Sequence, residues 1–166
     1  MRHHRKPLRS PGFDYSTPGT YWVTLCVHHM ECRFGHVDRA VMHLNDAGQM
    51  VQCHWLDLPD HFEAVELDAF VIMPNHMHGI VLLRETDQVP PVSLSAAIGS
   101  FKSRVMVEYS AGVRAGEFPA YDRSIWQRSF SDRIVQSDRR LETLRRYVEG
   151  NPGWWQQKQD ARPGRS

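Results

Sequence analysis

The sequence is short of several things. It has three cysteines, Cys26, Cys32 and Cys53, and no CxxC spacing in 166 residues. An odd count without that spacing argues against a disulfide framework and a thiolate zinc site. The thiols read as small buried hydrophobes in a reducing compartment. No apolar run approaches the ~20 residues of a membrane helix, and no signal-type apolar stretch follows the basic start. The cytoplasm is the expected location. Net charge is almost missing too: 20 basic side chains face 19 acidic ones, for a formal +1. Bulk charge therefore does not mark a polyanion binder, although its distribution can. Repeats and low-complexity blocks are absent.

What remains is ordinary for one globular domain with a real core: 41% hydrophobic and 23% charged residues. The first nine residues, MRHHRKPLR, carry Arg2, Arg5, Lys6 and Arg9 without an acid. We expect a basic tail over 1–14, a single domain over 15–155 and a weakly structured tail over 156–166.

Local patterns predict the elements. YWVTLCVHH (21–29) is β-branched and aromatic, hence a strand. HVDRAVMHL reads as a second, short edge strand. Asn45 caps a helix with Ala47, Met50, Val51 and Trp55 at helical spacing, which Pro59 closes. VELDAFVIM (65–73) and HMHGIVLL (76–83) flank the turn signal Pro74-Asn75 and read as an antiparallel hairpin. Ser93 or Ser95 caps a helix with Leu94, Ile98, Phe101 and Val105 on one face. IWQRSFSDRIVQ is extended. Ser137 caps a last helix with Leu141, Leu144 and Val148 as its stripe, ended by Asn151-Pro152. The order βαββαβ predicts an α+β, ferredoxin-like antiparallel sheet with helices packed on one face.

His76 and His78 are two apart on a strand, so their imidazoles leave one surface together and Met77 enters the other. Two neutral imidazoles so placed can share one divalent metal, given a third ligand from elsewhere. They can equally be surface histidines beside a turn. His28 and His29 are adjacent and expected on opposite faces. His36, His43, His54 and His61 stand alone and read as surface or structural residues. Tyr147 and Asn151 are four apart and share a helix face. By themselves they read as a packing residue and a helix stop.

Taken together, PNHMHGIV, a long helix, WQRSF and RRYVEGNP closely resemble the REP-associated tyrosine transposases, of the single-tyrosine HUH superfamily. The resemblance runs from about Gly12 to Trp155. It includes GFDYSTPGTYWVTLCV, LNDAGQMVQCHW and VELDAFVIMPNHMHGIVLL. It implies a ferredoxin-like HUH core in which His76 and His78 hold Mg²⁺ or Mn²⁺. Tyr147 would then be the nucleophile, and Asn151, one turn on, would complete the metal site. The implied substrate is single-stranded or hairpin DNA, typically a repetitive extragenic palindrome, cleaved and transferred through a 5′-phosphotyrosine. The expected protein is nucleoid-associated, and a monomer or homodimer. A free phenol titrates near 10 and is a poor nucleophile, so a nearby divalent cation on the phosphate is what such chemistry needs.

Between Gly99 and Tyr147 ten cationic residues face six acidic ones. Such a basic half is the footprint expected of phosphate contact. Lys102, Arg104, Arg128, Arg133, Arg139, Arg140 and Arg146 are the candidate DNA contacts, and Trp154 and Trp155 the candidate base-stacking residues, whereas Trp126 and Phe130, which could also stack, read more readily as core. A domesticated relative that binds hairpin DNA or RNA without cutting is the alternative. A barrel-type zinc hydrolase is excluded because its barrel takes about 250 residues.

Overall fold

The computed structural model describes Asp14 and residues 16–161. The basic start, including His3 and His4, lies outside the described residues.

Four strands form the main sheet: β1 (Gly19–Cys26), β4 (Val65–Met73), β5 (His76–Leu83) and β6 (Ser131–Ile134). Their order is β4-β5-β1-β6, and every neighbouring pair is antiparallel. Numbered among themselves, the strands run 2-3-1-4, the ferredoxin-like order expected from the sequence. β5 and β1 are the inner strands, so the sheet's most constrained positions carry His76 and His78.

HVDRAVMHL is a hairpin of its own rather than one strand: β2 (Gly35–Asp38) pairs with β3 (Val41–Leu44). Arg39 and Ala40, the two turn residues, both have positive φ. That conformation matches the right-handed twist of a two-residue hairpin.

Helix α1 (Asp46–Leu56) starts where expected, with the Asn45 side chain accepting from the Gly48 amide at 2.9 Å. Pro59 does not end it. It sits in the first turn of a separate short helix, α2 (Leu58–His61), where its missing N–H costs nothing. Helix α3 (Leu94–Arg114) is capped by Ser93, whose side chain accepts from the Ala96 amide. Helix α4 (Asp138–Asp160), capped by Ser137, corrects the sequence reading most. It continues through Pro152, so residues 156–160 are helix rather than tail. A proline inside a helix removes one hydrogen bond, but flanking turns can carry the helix across.

The helices do not share a face. Tyr21, Val23 and Leu25 of β1 enter a core with Trp55 of α1 and Ile98, Phe101 and Val105 of α3. Gly79 makes room there: a Cβ on it would lie 2.4 Å from Trp55 Cζ2. α4 instead crosses the opposite face, against β4 and the β2–β3 hairpin. The sheet is thus covered on both sides, because alternation on β1 and β5 gives each side its own set of large residues.

Candidate functional site

The α4 face of the sheet carries Trp22, Thr24 and Cys26 from β1. Thr24 is paired with His78 and Cys26 with His76. The two imidazoles project together as expected, with ring centroids 4.8 Å apart.

Each imidazole is held from behind. His76 Nδ1 is 2.7 Å from Asn75 Oδ1, while Asn75 Nδ2 donates to the Met30 carbonyl at 3.1 Å. The second bond fixes the carboxamide's orientation. Its oxygen can only accept, so Nδ1 of His76 carries the proton and Nε2 presents a lone pair. His78 Nδ1 is 2.8 Å from Thr24 Oγ1, and its ring stacks on the Trp22 indole at 4.9 Å and 23°. Burial lowers both histidine pKa values, to about 4 for His76 and about 3 for His78. Lys158 adds to the first shift and His76 to the second. Both rings are therefore neutral near pH 7, the protonation state a metal requires.

Tyr147 packs on this surface. Its ring meets His78 at 5.5 Å, Trp22 at 5.7 Å and Trp154 at 4.9 Å. It stands between two concavities. One, of about 620 Å³, is lined by Asn75, His76, Asn151, Trp154, Trp155 and Lys158 among others. The second, of about 280 Å³, is lined by Trp22, Thr24, His78, Ser131, Arg133 and Arg140 among others. Asn151 is buried, at 6% exposure. Its carboxamide has no hydrogen-bond partner among the described residues. His76 and the unpartnered Asn151 carboxamide share the first concavity, and His78 adjoins it from the second with its ring 4.8 Å from that of His76, a donor set that suits a divalent cation.

The position of α4 is fixed by Arg145, whose guanidinium forks onto Asp68 of β4: Nη2 to Oδ2 at 2.6 Å and Nε to Oδ1 at 3.1 Å. The hydrogen bond from Arg145 holds the Asp68 carboxyl below the usual carboxylate range. Neither Asp68 nor Asn75 was singled out from the sequence. Their signals are slight: one carboxylate inside an apolar strand, and one amide just before the first histidine.

The expected cationic residues divide. Arg133 and Arg140 line the cleft, and Arg128, Arg139 and Arg146 are exposed. Lys102 Nζ donates to the Gln127 and Arg128 carbonyls, and Arg104 reaches the His54 carbonyl from the other layer. Trp126 and Phe130 are core residues, 2% and 7% exposed, which removes them from base stacking. Trp154 and Trp155 remain on the cleft.

Solved structures share this fold. A REP-associated tyrosine transposase bound to a REP hairpin superposes with a TM-score of 0.59 at 20% identity, over 93% of this chain and 74% of that one. A crystal structure from Deinococcus radiodurans R1 gives 0.50 at 16% identity, over 85% and 95%. These likenesses define the fold class. The sequence defines the family: residues 59–151 match the model described as "Transposase IS200 like", and the chain belongs to that family. An uncharacterized protein of Haemophilus influenzae (strain ATCC 51907 / DSM 11121 / KW20 / Rd) is 32% identical over 170 residues, spanning 95% of this chain and 93% of that protein. No described helix is long and apolar enough to cross a membrane.

Proposed function

We propose that this protein cuts and rejoins single-stranded DNA beside hairpin-forming, REP-like sequences, with Tyr147 as the nucleophile. The observation that carries the reading is the placement of Tyr147 on His78, between a cleft holding His76 and Asn151 and a cleft holding Arg133 and Arg140. Family membership supports a transposase, and the hairpin-bound structure of like fold supports a hairpin partner.

His76 Nε2, His78 Nε2 and the Asn151 carboxamide oxygen would hold Mg²⁺ or Mn²⁺. When bound, that ion neutralises charge on the non-bridging oxygens of the scissile phosphate. Asn75 keeps His76 in the tautomer that presents Nε2, and Thr24 holds the His78 ring in place through its Nδ1. Tyr147 Oη attacks phosphorus, the bond to the 3′ oxygen breaks, and the phenolic proton is lost as the leaving oxygen gains one. The products are a 5′-phosphotyrosyl link and a free 3′-OH. The new ester retains the energy of the broken one, so a second 3′-OH can reverse the step without ATP. Arg133 and Arg140 on one side, and Lys158 with the Trp154 and Trp155 indoles on the other, would guide the strand across Tyr147.

The test is a denaturing gel of protein mixed with labelled single-stranded hairpin DNA from the flanks of its own gene, with and without Mn²⁺. A Mn²⁺-dependent, protease-sensitive shifted band, lost in Tyr147→Phe while hairpin binding persists, is the expected result. Binding to several hairpins without any covalent band would replace this reading with that of a non-cleaving binding module. An adduct that survives Tyr147→Phe would overturn the nucleophile.

A further inference from the structure

The chain leaves β1 through a single 3-10 turn, His28–Met30. His29 and Met30 both have left-handed backbone, φ 54° and 56°, and so does Arg123 in the facing loop, φ 62°. None of these is glycine, so each conformation is disfavoured and must be held by its surroundings. Backbone bonds do this. His28 N–H donates to the Ile125 carbonyl at 2.7 Å, and Gln127 N–H to the Cys26 carbonyl at 2.9 Å.

This turn overturns the expectation that His28 and His29 diverge. In a strand they would; here their ring centroids are 3.9 Å apart. Asp122 joins them from the facing loop, and one ligand atom of each residue lies within 4.8 Å of the other two. None of the three side chains has a hydrogen bond or salt bridge to another described residue. His29 and Asp122 are exposed, so both can rotate. A tetrahedral ion with bonds of ~2.0–2.1 Å sets its ligand atoms ~3.3 Å apart, which modest rotation of these two supplies.

We propose that His28, His29 and Asp122 form a second metal site, distinct from the His76/His78 pair, for a borderline divalent ion of the zinc class. Two imidazoles and one carboxylate bind Zn²⁺, Co²⁺ or Ni²⁺ far more tightly than Mg²⁺. Three protein ligands leave a fourth position for water. The ion ties the 119–126 loop to the end of β1. It does so beside Met30, whose carbonyl holds the Asn75 side chain.

The test uses the full chain with His3→Ala, His4→Ala, His76→Ala and His78→Ala, which removes the tail histidines and the first pair. Circular dichroism checks that this background and each further variant are folded. Calorimetric titration with Zn²⁺ and Co²⁺ should give one equivalent and a raised Tm, with Mg²⁺ giving neither. Adding His29→Ala, or separately Asp122→Asn, should weaken Zn²⁺ at least tenfold. Both changes are at exposed side chains, where folding is least at risk. The proposal fails if the background binds no Zn²⁺. It fails equally if binding is unchanged by both substitutions, or is lost instead on His36→Ala, which breaks the stacked His36–His43 pair.

Discussion

Arg145 stands two residues before Tyr147 and grips Asp68 with both Nε and Nη2. A forked guanidinium–carboxylate pair fixes orientation as well as distance. It therefore sets how α4 lies on β4, and with it where the Tyr147 ring lands. Arg145→Lys keeps the charge and loses the fork. We expect about a tenfold slower formation of the covalent DNA adduct, with hairpin affinity changed less than threefold. Gel rates against filter-binding affinities separate the two; equal losses in both would mean that Arg145 serves binding instead.

Asn75 is the acceptor behind His76. Asn75→Ala removes it and frees the ring to rotate or change tautomer. Loss of such a partner typically costs about 10–100-fold in metal affinity. Asn75→Asp restores an acceptor for His76 Nδ1–H, although it cannot donate to Met30. Mn²⁺ binding followed by electron paramagnetic resonance should weaken in the alanine variant and recover in the aspartate variant. Unchanged Mn²⁺ affinity in Asn75→Ala would remove Asn75 from the site.

The lowered histidine pKa values predict two pH effects of defined sign. Free imidazoles titrate near 6.5, whereas His76 and His78 stay neutral to about 4 and about 3. Mn²⁺ binding should therefore persist at pH 5, where ordinary imidazoles are mostly protonated. Stability of the metal-free protein moves the other way. Below pH 6.5 the unfolded chain takes up protons that the folded chain refuses, so stability declines as pH falls from 6.5 toward 4. Replacing both histidines with glutamine should flatten that part of a Tm-versus-pH profile. A profile unchanged by the replacement would show that other groups set it.

Gly79 separates the two sides of β5. Gly79→Ala drives a methyl into the fully buried Trp55 indole. Overpacking of this kind costs about 1–3 kcal/mol. Urea unfolding should record a lower midpoint at unchanged slope. Because the methyl points away from the histidines, Mn²⁺ affinity at a temperature where the variant is folded should stay within twofold of the parent.

Much of this was legible because it depends on short-range rules. Alternation on β5 placed His76 and His78 side by side, and helical spacing put Tyr147 and Asn151 on one face. Asn45, Ser93 and Ser137 each cap the helix they announced. The misses have causes too. Pro152 reads as a stop only when local hydrogen bonding decides, and α4 continues because it has a sheet and a hairpin to lie on. His28 and His29 diverge only if the strand continues, and it ends at Cys26. Asp68 and Arg145 are 77 positions apart, and no local pattern pairs them.

Pro152 has one more consequence. Without an amide hydrogen it leaves the Val148 carbonyl with no donor four residues on. α4 is thus two levers joined at a compliant point. The lever before the joint is anchored by Asp68 and bears Tyr147, the phenol that the proposed chemistry brings to a phosphorus atom. The lever beyond it bears Trp154, Trp155 and Lys158, one wall of the cleft beside His76. Stiffness and give are divided between them by a single imino acid.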